Sequence, residues 1–76
     1  MGTSTYDEFR GVLRKLSFTK TRSGRHETWQ KKLPDGSVLR VTLKHQRGKD
    51  IPRWLFGLML KQAGIDRATF ERLRKD

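Results

Sequence analysis

Apolar and polar residues follow two periods along this chain, and the switches between them mark its elements. Tyr6, Phe9, Val12, Leu13 and Leu16 recur at helical spacing. Thr5 precedes them and Glu8 follows three residues later, the form of a capping box. The pattern predicts an amphipathic helix over about 5–16, with Asp7, Glu8, Arg10, Arg14 and Lys15 off its apolar arc. From Phe18 onward the period drops to two, and strands are predicted over about 18–22, 26–33 and 37–44. In the second strand Trp29, Lys31 and Leu33 share one side, and His26, Thr28 and Gln30 the other. In the third, Leu39, Val41 and Leu43 face inward while Val38, Arg40, Thr42 and Lys44 face outward. Ser23-Gly24 joins the first two strands, and Leu33-Pro34-Asp35-Gly36, a type I turn signature, joins the next two.

Helical spacing returns over about 51–63, with Asp50 placed to cap, Pro52 in the first turn and Gly64 as the stop. Trp54, Leu55, Phe56, Leu58, Met59, Leu60 and Ala63 leave only Arg53, Gly57 and Lys61 as a polar strip. A helix that apolar is buried on more than one side, by this protein or by a partner. Asp66 then caps a short helix over about 67–74 carrying Ala68, Phe70 and Leu73. The order α-β-β-β-α-α predicts one α+β domain spanning 1–76. Its three-stranded antiparallel sheet has helices on one face, and the other face stays open. The period-two rule projects His26, Thr28, Gln30, Arg40, Thr42 and Lys44 onto that open face.

Composition changes this picture through charge. Eighteen Lys and Arg stand against eight Asp and Glu, a formal net charge of +10 in 76 residues. Such an imbalance implies a polyanionic partner, either nucleic acid or an acidic protein. Mean hydropathy is low at −0.84, yet two tryptophans and four phenylalanines are enough aromatic bulk to anchor a small core. The chain has no cysteine, which excludes disulfides and thiolate metal sites. Residues 1–5 hold no apolar signal core, and no apolar run approaches the roughly 20 residues that span a bilayer. A soluble, cytoplasmic protein with no membrane partner is expected.

The candidate chemistry centres on Ser23-Gly24-Arg25-His26, a tight loop delivering a histidine to the start of a strand. Imidazole has an ordinary pKa of about 6.5, suited to proton transfer near neutral pH. Arg22 and Arg25 flank it, a pairing that suits chemistry on, or binding to, a phosphate. The plain alternative is a surface histidine with solvated basic neighbours. No Gly-rich phosphate loop and no His-x-x-x-His spacing occurs, and the acids are scattered, so neither a cofactor nor a metal is expected. No acid is placed to complete a triad with Ser23 and His26.

These residues, in this order, resemble the HicA (YcfA-like) toxins of HicA–HicB toxin–antitoxin pairs, over about 6–73. The resemblance rests on Leu16-Ser17-Phe18 at the family's leucine-glycine-phenylalanine junction and on Gly24-Arg25-His26 at its Gly-Ser-His. It continues through Pro34-Asp35-Gly36, Val41-Thr42-Leu43-Lys44-His45 and Lys49-Asp50-Ile51-Pro52. Leu60-Lys61-Gln62-Ala63-Gly64-Ile65 and Phe70 are its most specific part. Arg25 replaces the family's serine, and the proline before the second histidine is missing. The resemblance implies a double-stranded-RNA-binding-domain-like α-β-β-β-α fold and an mRNA endoribonuclease with His26 as its catalytic residue. Its partner would be an acidic HicB-like antitoxin. On that reading Arg22, Gly24, Arg25, Lys44 and His45 contact RNA. His45 is then a candidate acid for the 5′-oxygen, or a loop residue touching RNA or antitoxin. A non-catalytic RNA-binding module and a purely protein-binding role are the alternatives.

Overall fold

The computed structural model describes residues 4–44 and 48–75. Helix α1 (Tyr6–Lys15) leads into three strands, β1 (Thr19–Arg22), β2 (His26–Lys32) and β3 (Val38–Lys44). Helices α2 (Arg53–Ala63) and α3 (Arg67–Lys75) follow. The strands form one antiparallel sheet in the order β1-β2-β3, so the fold is α+β as the periodicity predicts.

Local chemistry explains the ends of these elements. Thr5 and Glu8 form the expected capping box: the Glu8 N–H donates to Thr5 Oγ1 at 3.1 Å, and the Thr5 N–H donates to Glu8 Oε1 at 2.9 Å. Leu33 to Gly36 closes as a turn, with the Gly36 N–H donating to the Leu33 carbonyl at 2.9 Å and Gly36 at φ +92°. That is a type I turn followed by a left-handed residue, a common hairpin link. Ser37 donates through its hydroxyl and its backbone N–H to Asp35, which holds that exposed carboxyl below its ordinary range. The turn therefore gains from ionised Asp35 at neutral pH and loses that support as pH falls through the carboxylate range. Asp66 caps α3 by accepting the Thr69 N–H at 2.8 Å.

Two expectations are corrected. Asp50 does not cap α2: the N-cap is Pro52, without a side-chain hydrogen bond, and the helix begins at Arg53. Residues 4–6 and 49–51 instead pair as a short antiparallel bridge. The Tyr6 N–H donates to the Lys49 carbonyl and the Ile51 N–H to the Ser4 carbonyl, which ties the start of α1 to the entrance of α2. Arg10, expected on the polar side of α1, is buried.

One sheet face carries the core. Trp29, Val41 and Leu43 are buried against Tyr6, Phe9, Val12 and Leu13 of α1, Phe56, Met59, Leu60 and Ala63 of α2, and Phe70 of α3. Phe9, Phe56 and Phe70 meet with ring centroids 5.0–6.0 Å apart, two of the three contacts edge-to-face. Basic side chains lie along the margin of this core, Arg14 over Trp29 at 5.5 Å and Arg67 over Phe56 at 5.6 Å. The other face is exposed or half-buried throughout, through His26, Thr28, Gln30, Arg40, Thr42 and Lys44. On α2 the apolar surface exceeds what the chain covers, and Trp54 and Leu58 stay exposed.

Helices α1 and α2 stop by the same device with different residues. The Phe18 N–H reaches the Leu13 carbonyl past Ser17 at φ +72°, and the Ile65 N–H reaches the Leu60 carbonyl past Gly64 at φ +72°. Ser17 carries the steric cost of left-handed backbone that glycine avoids. We expect Ser17→Gly to stabilise the protein by about 0.5–1 kcal/mol in urea unfolding, part of the roughly 1–2 kcal/mol penalty being offset by glycine's unfolded-state entropy. Gly64→Ala should do the reverse, since its Cβ would lie 3.3 Å from Leu39 Cδ1 at an unfavourable φ. Equal stability in both variants would contradict this account of the helix ends.

Candidate functional site

The site is built where β2 begins and β3 ends. His26 is the first residue of β2 and pairs in register with Lys44, the last of β3. Directly paired residues on one sheet face hold their Cβ atoms about 4.5–5.5 Å apart, so imidazole and ammonium share one patch of the open face. Thr28 pairs with Thr42 and Gln30 with Arg40 behind them, forming polar rows along that face.

Arg22 reaches the same face through an irregularity. Thr19 pairs with Gln30 and Lys20 with Trp29, but Arg22 then pairs with Thr28, leaving Thr21 as an extra residue. Simple alternation from Phe18 would aim Arg22 toward the core. The bulge turns it to the open side, a common use of bulges beside functional sites. Thr21 Oγ1 donates to the Thr28 carbonyl at 3.3 Å across the bulge.

Two depressions result, and they share Thr42. A groove of about 480 Å³ is lined by Thr21, Arg22, Thr28, Gln30, Arg40 and Thr42. A second, of about 250 Å³, is lined by His26, Thr42, Lys44, Pro52, Trp54, Leu55 and Gln62. Among the described residues no carboxylate pairs with Arg22, Arg40 or Lys44, so three cations face the groove system unneutralised. Gly24, at φ +121°, and Arg25 form the exposed β1–β2 turn and line neither depression. His45 lies outside the described residues.

A buried ion pair supports this end of the sheet from behind. Arg10 Nε donates to Glu27 Oε1 at 2.9 Å, with both side chains almost fully buried. Trp29 Nε1 donates to the same oxygen at 3.1 Å, and Arg10 Nη2 donates to the Lys44 carbonyl at 3.0 Å. Arg10 Nη1 also pairs with Asp7 at 2.9 Å, and Asp7 Oδ2 accepts the Gly48 N–H at 3.1 Å. One guanidinium thus joins α1 to the residue after His26 and to the backbone of Lys44. Strand alternation from His26 puts Glu27 on the opposite face, as observed, but shows no partner for it. The available signal was a lone acid in an alternating strand, matched by an arginine one helical turn after Asp7.

Trp54 is the lining residue that sequence reasoning missed as part of the site. The width of the apolar arc on α2 leaves one of Trp54, Phe56 and Leu60 for the surface or for a protein partner; it is Trp54 that is 73% exposed, and it stands beside His26. Among the described residues no three His, Cys, Asp or Glu gather as metal ligands would, and no helix is long and apolar enough to cross a membrane.

Residues 6–65 match the family described as the HicA toxin of bacterial toxin-antitoxin systems. That range takes in both cap glycine and serine positions, the whole sheet and α2. The chain is therefore a toxin-antitoxin toxin by class, and it belongs to the HicA toxin family. No curated protein and no solved structure matches it.

Removing one partner of a buried ion pair leaves the other charge uncompensated, at a cost of about 3–5 kcal/mol. Glu27→Ala should therefore consume much of a total stability of roughly 4–11 kcal/mol for a chain of this length. Urea unfolding checks it, and a loss below about 1 kcal/mol would show that the pair is not a structural anchor.

Proposed function

We propose that this protein is a metal-independent mRNA endoribonuclease in which His26 is the general base. The observation that carries the reading is the pairing of exposed His26 with Lys44 in a depression that shares Thr42 with the groove lined by Arg22 and Arg40, in a chain of a toxin family. RNA supplies its own nucleophile, the 2′-hydroxyl. His26 takes the 2′-hydroxyl proton while the 2′-oxygen bonds to the adjacent phosphorus. The bond from phosphorus to the 5′-oxygen breaks, and that oxygen takes a proton from solvent in the open groove. Lys44, with Arg22 and Arg25, binds the phosphate and offsets charge that develops in the transition state. Gly24 allows the tight turn that brings Arg25 next to His26.

The substrate is cytoplasmic mRNA, and the inhibitor is an acidic HicB-like antitoxin. Charge complementarity with a protein of net charge +10 would make that association fast and salt-sensitive. Covering the open sheet face would close the route to His26. Arg25 in place of the family's serine favours one other reading, a non-catalytic RNA-binding module on the same fold.

The deciding experiment incubates mRNA with the protein and with His26→Ala in EDTA. We expect the variant to fold normally, because His26 is exposed, and to lose about 10²- to 10⁴-fold in cleavage rate. Equal cleavage by both proteins would remove His26 from the role of base. RNA bound by both and cut by neither would select the binding module. Lys44→Ala should in addition flatten the dependence of log affinity on log salt by about 0.7, the loss of one single-strand phosphate contact.

A further inference from the structure

We infer that Trp54 is a stacking platform for an unpaired nucleobase next to the phosphate held at His26, so that the RNA taken is single-stranded at the cut. The inference rests on the ribonuclease reading and names its substrate form. Trp54 is the large apolar residue most at odds with its surroundings, 73% exposed on a helix whose Phe56, Met59 and Leu60 are buried. It lies two residues after Pro52, the N-cap of α2, at the edge where that helix meets Lys44 at the end of β3. There it shares the 250 Å³ depression with His26 and Lys44. That volume is below the roughly 300–1,000 Å³ of drug-sized ligand pockets, and suits a single ring system.

The composition of the depression matches a nucleotide part by part. Trp54, with Pro52 and Leu55, gives an apolar wall for a flat base; Thr42 and Gln62 give hydrogen-bonding atoms at its edge; Lys44 gives a cation for phosphate. A base within a duplex has both faces stacked already and cannot lie on an indole, so the platform selects unpaired strand. Leu58, also exposed and one turn along α2, does not line this depression. Trp54 is therefore singled out by its position at the site and not only by belonging to an exposed apolar stripe.

Tryptophan fluorescence provides the test, because the other indole, Trp29, is buried. The probe is a 2′-O-methyl oligoribonucleotide, which lacks the nucleophile and survives the titration, offered single-stranded and as a duplex. We expect the single strand to quench fluorescence of the unmodified protein and to shield it from iodide. The duplex should bind without either effect. Trp54→Ala should weaken single-strand binding about 5- to 150-fold, Trp54→Phe less, and duplex binding not at all.

Salt-sensitive single-strand binding with neither quenching nor a Trp54→Ala effect would overturn the platform and leave the ribonuclease reading standing. Absence of RNA binding at low salt would overturn both. A Trp54→Ala variant with unchanged RNA affinity that escapes a HicB-like inhibitor would assign the indole to a protein interface instead. The quenching measurement needs no substitution, so it decides the matter even where a variant folds poorly.

Discussion

The arrangement depends on one buried charge pair. Arg10 and Glu27 are withdrawn from water together, and the geometry that makes this tolerable also shapes the surface above. Each polar atom brought inside needs a partner, and the partners are spread across the fold: Asp7 in α1, the Trp29 indole in β2 and the Lys44 carbonyl at the end of β3. Satisfying one guanidinium therefore fixes helix α1 against the strand ends that carry His26 and Lys44. A hydrophobic contact at this position would hold the layers together but would not specify the strand-end geometry as closely.

The large positive charge divides between two duties. Part of it is structural. Arg10 is buried, Arg14 and Arg67 cover aromatic rings, and Lys15 Nζ donates to the Leu73 carbonyl, joining α1 to α3. Another part lies on the open face, where Arg22, Arg40 and Lys44 meet no carboxylate among the described residues. Net charge alone overstates the cations available to a polyanion, and it says nothing of their direction. The sheet supplies the direction, since residues two apart share a face.

Regular features were legible in the sequence because they follow from period and turn chemistry. The capping box at Thr5 and Glu8, the Pro34-Asp35-Gly36 turn, the inward Val41 and Leu43 and the outward Arg40, Thr42 and Lys44 are of this kind. What alternation could not show came from long-range pairing. Arg22 faces the groove only because a bulge at Thr21 reverses its side. Arg10 looks like a surface residue of α1 until Glu27, 17 positions away, is found beneath it. Asp50 loses its capping role to a bridge with the segment before α1. The apolar arc of α2 is too wide for the chain to cover, but the sequence does not show that the exposed residue, Trp54, stands at the site. These departures cluster around His26, where local rules yield to the needs of a surface built from several elements.

If His26 activates the 2′-hydroxyl of RNA against its own phosphate, the chemistry of the cut ends must show it. A defined oligoribonucleotide is digested in EDTA and its fragments are identified by mass spectrometry. A second substrate carries a single deoxynucleotide on the 5′ side of the scissile bond. Attack by the 2′-oxygen gives fragments ending in a 2′,3′-cyclic phosphate and beginning with a 5′-hydroxyl, and no cutting at the deoxy position. Fragments with 5′-phosphate and 3′-hydroxyl ends, or undiminished cutting at the deoxy position, would contradict it.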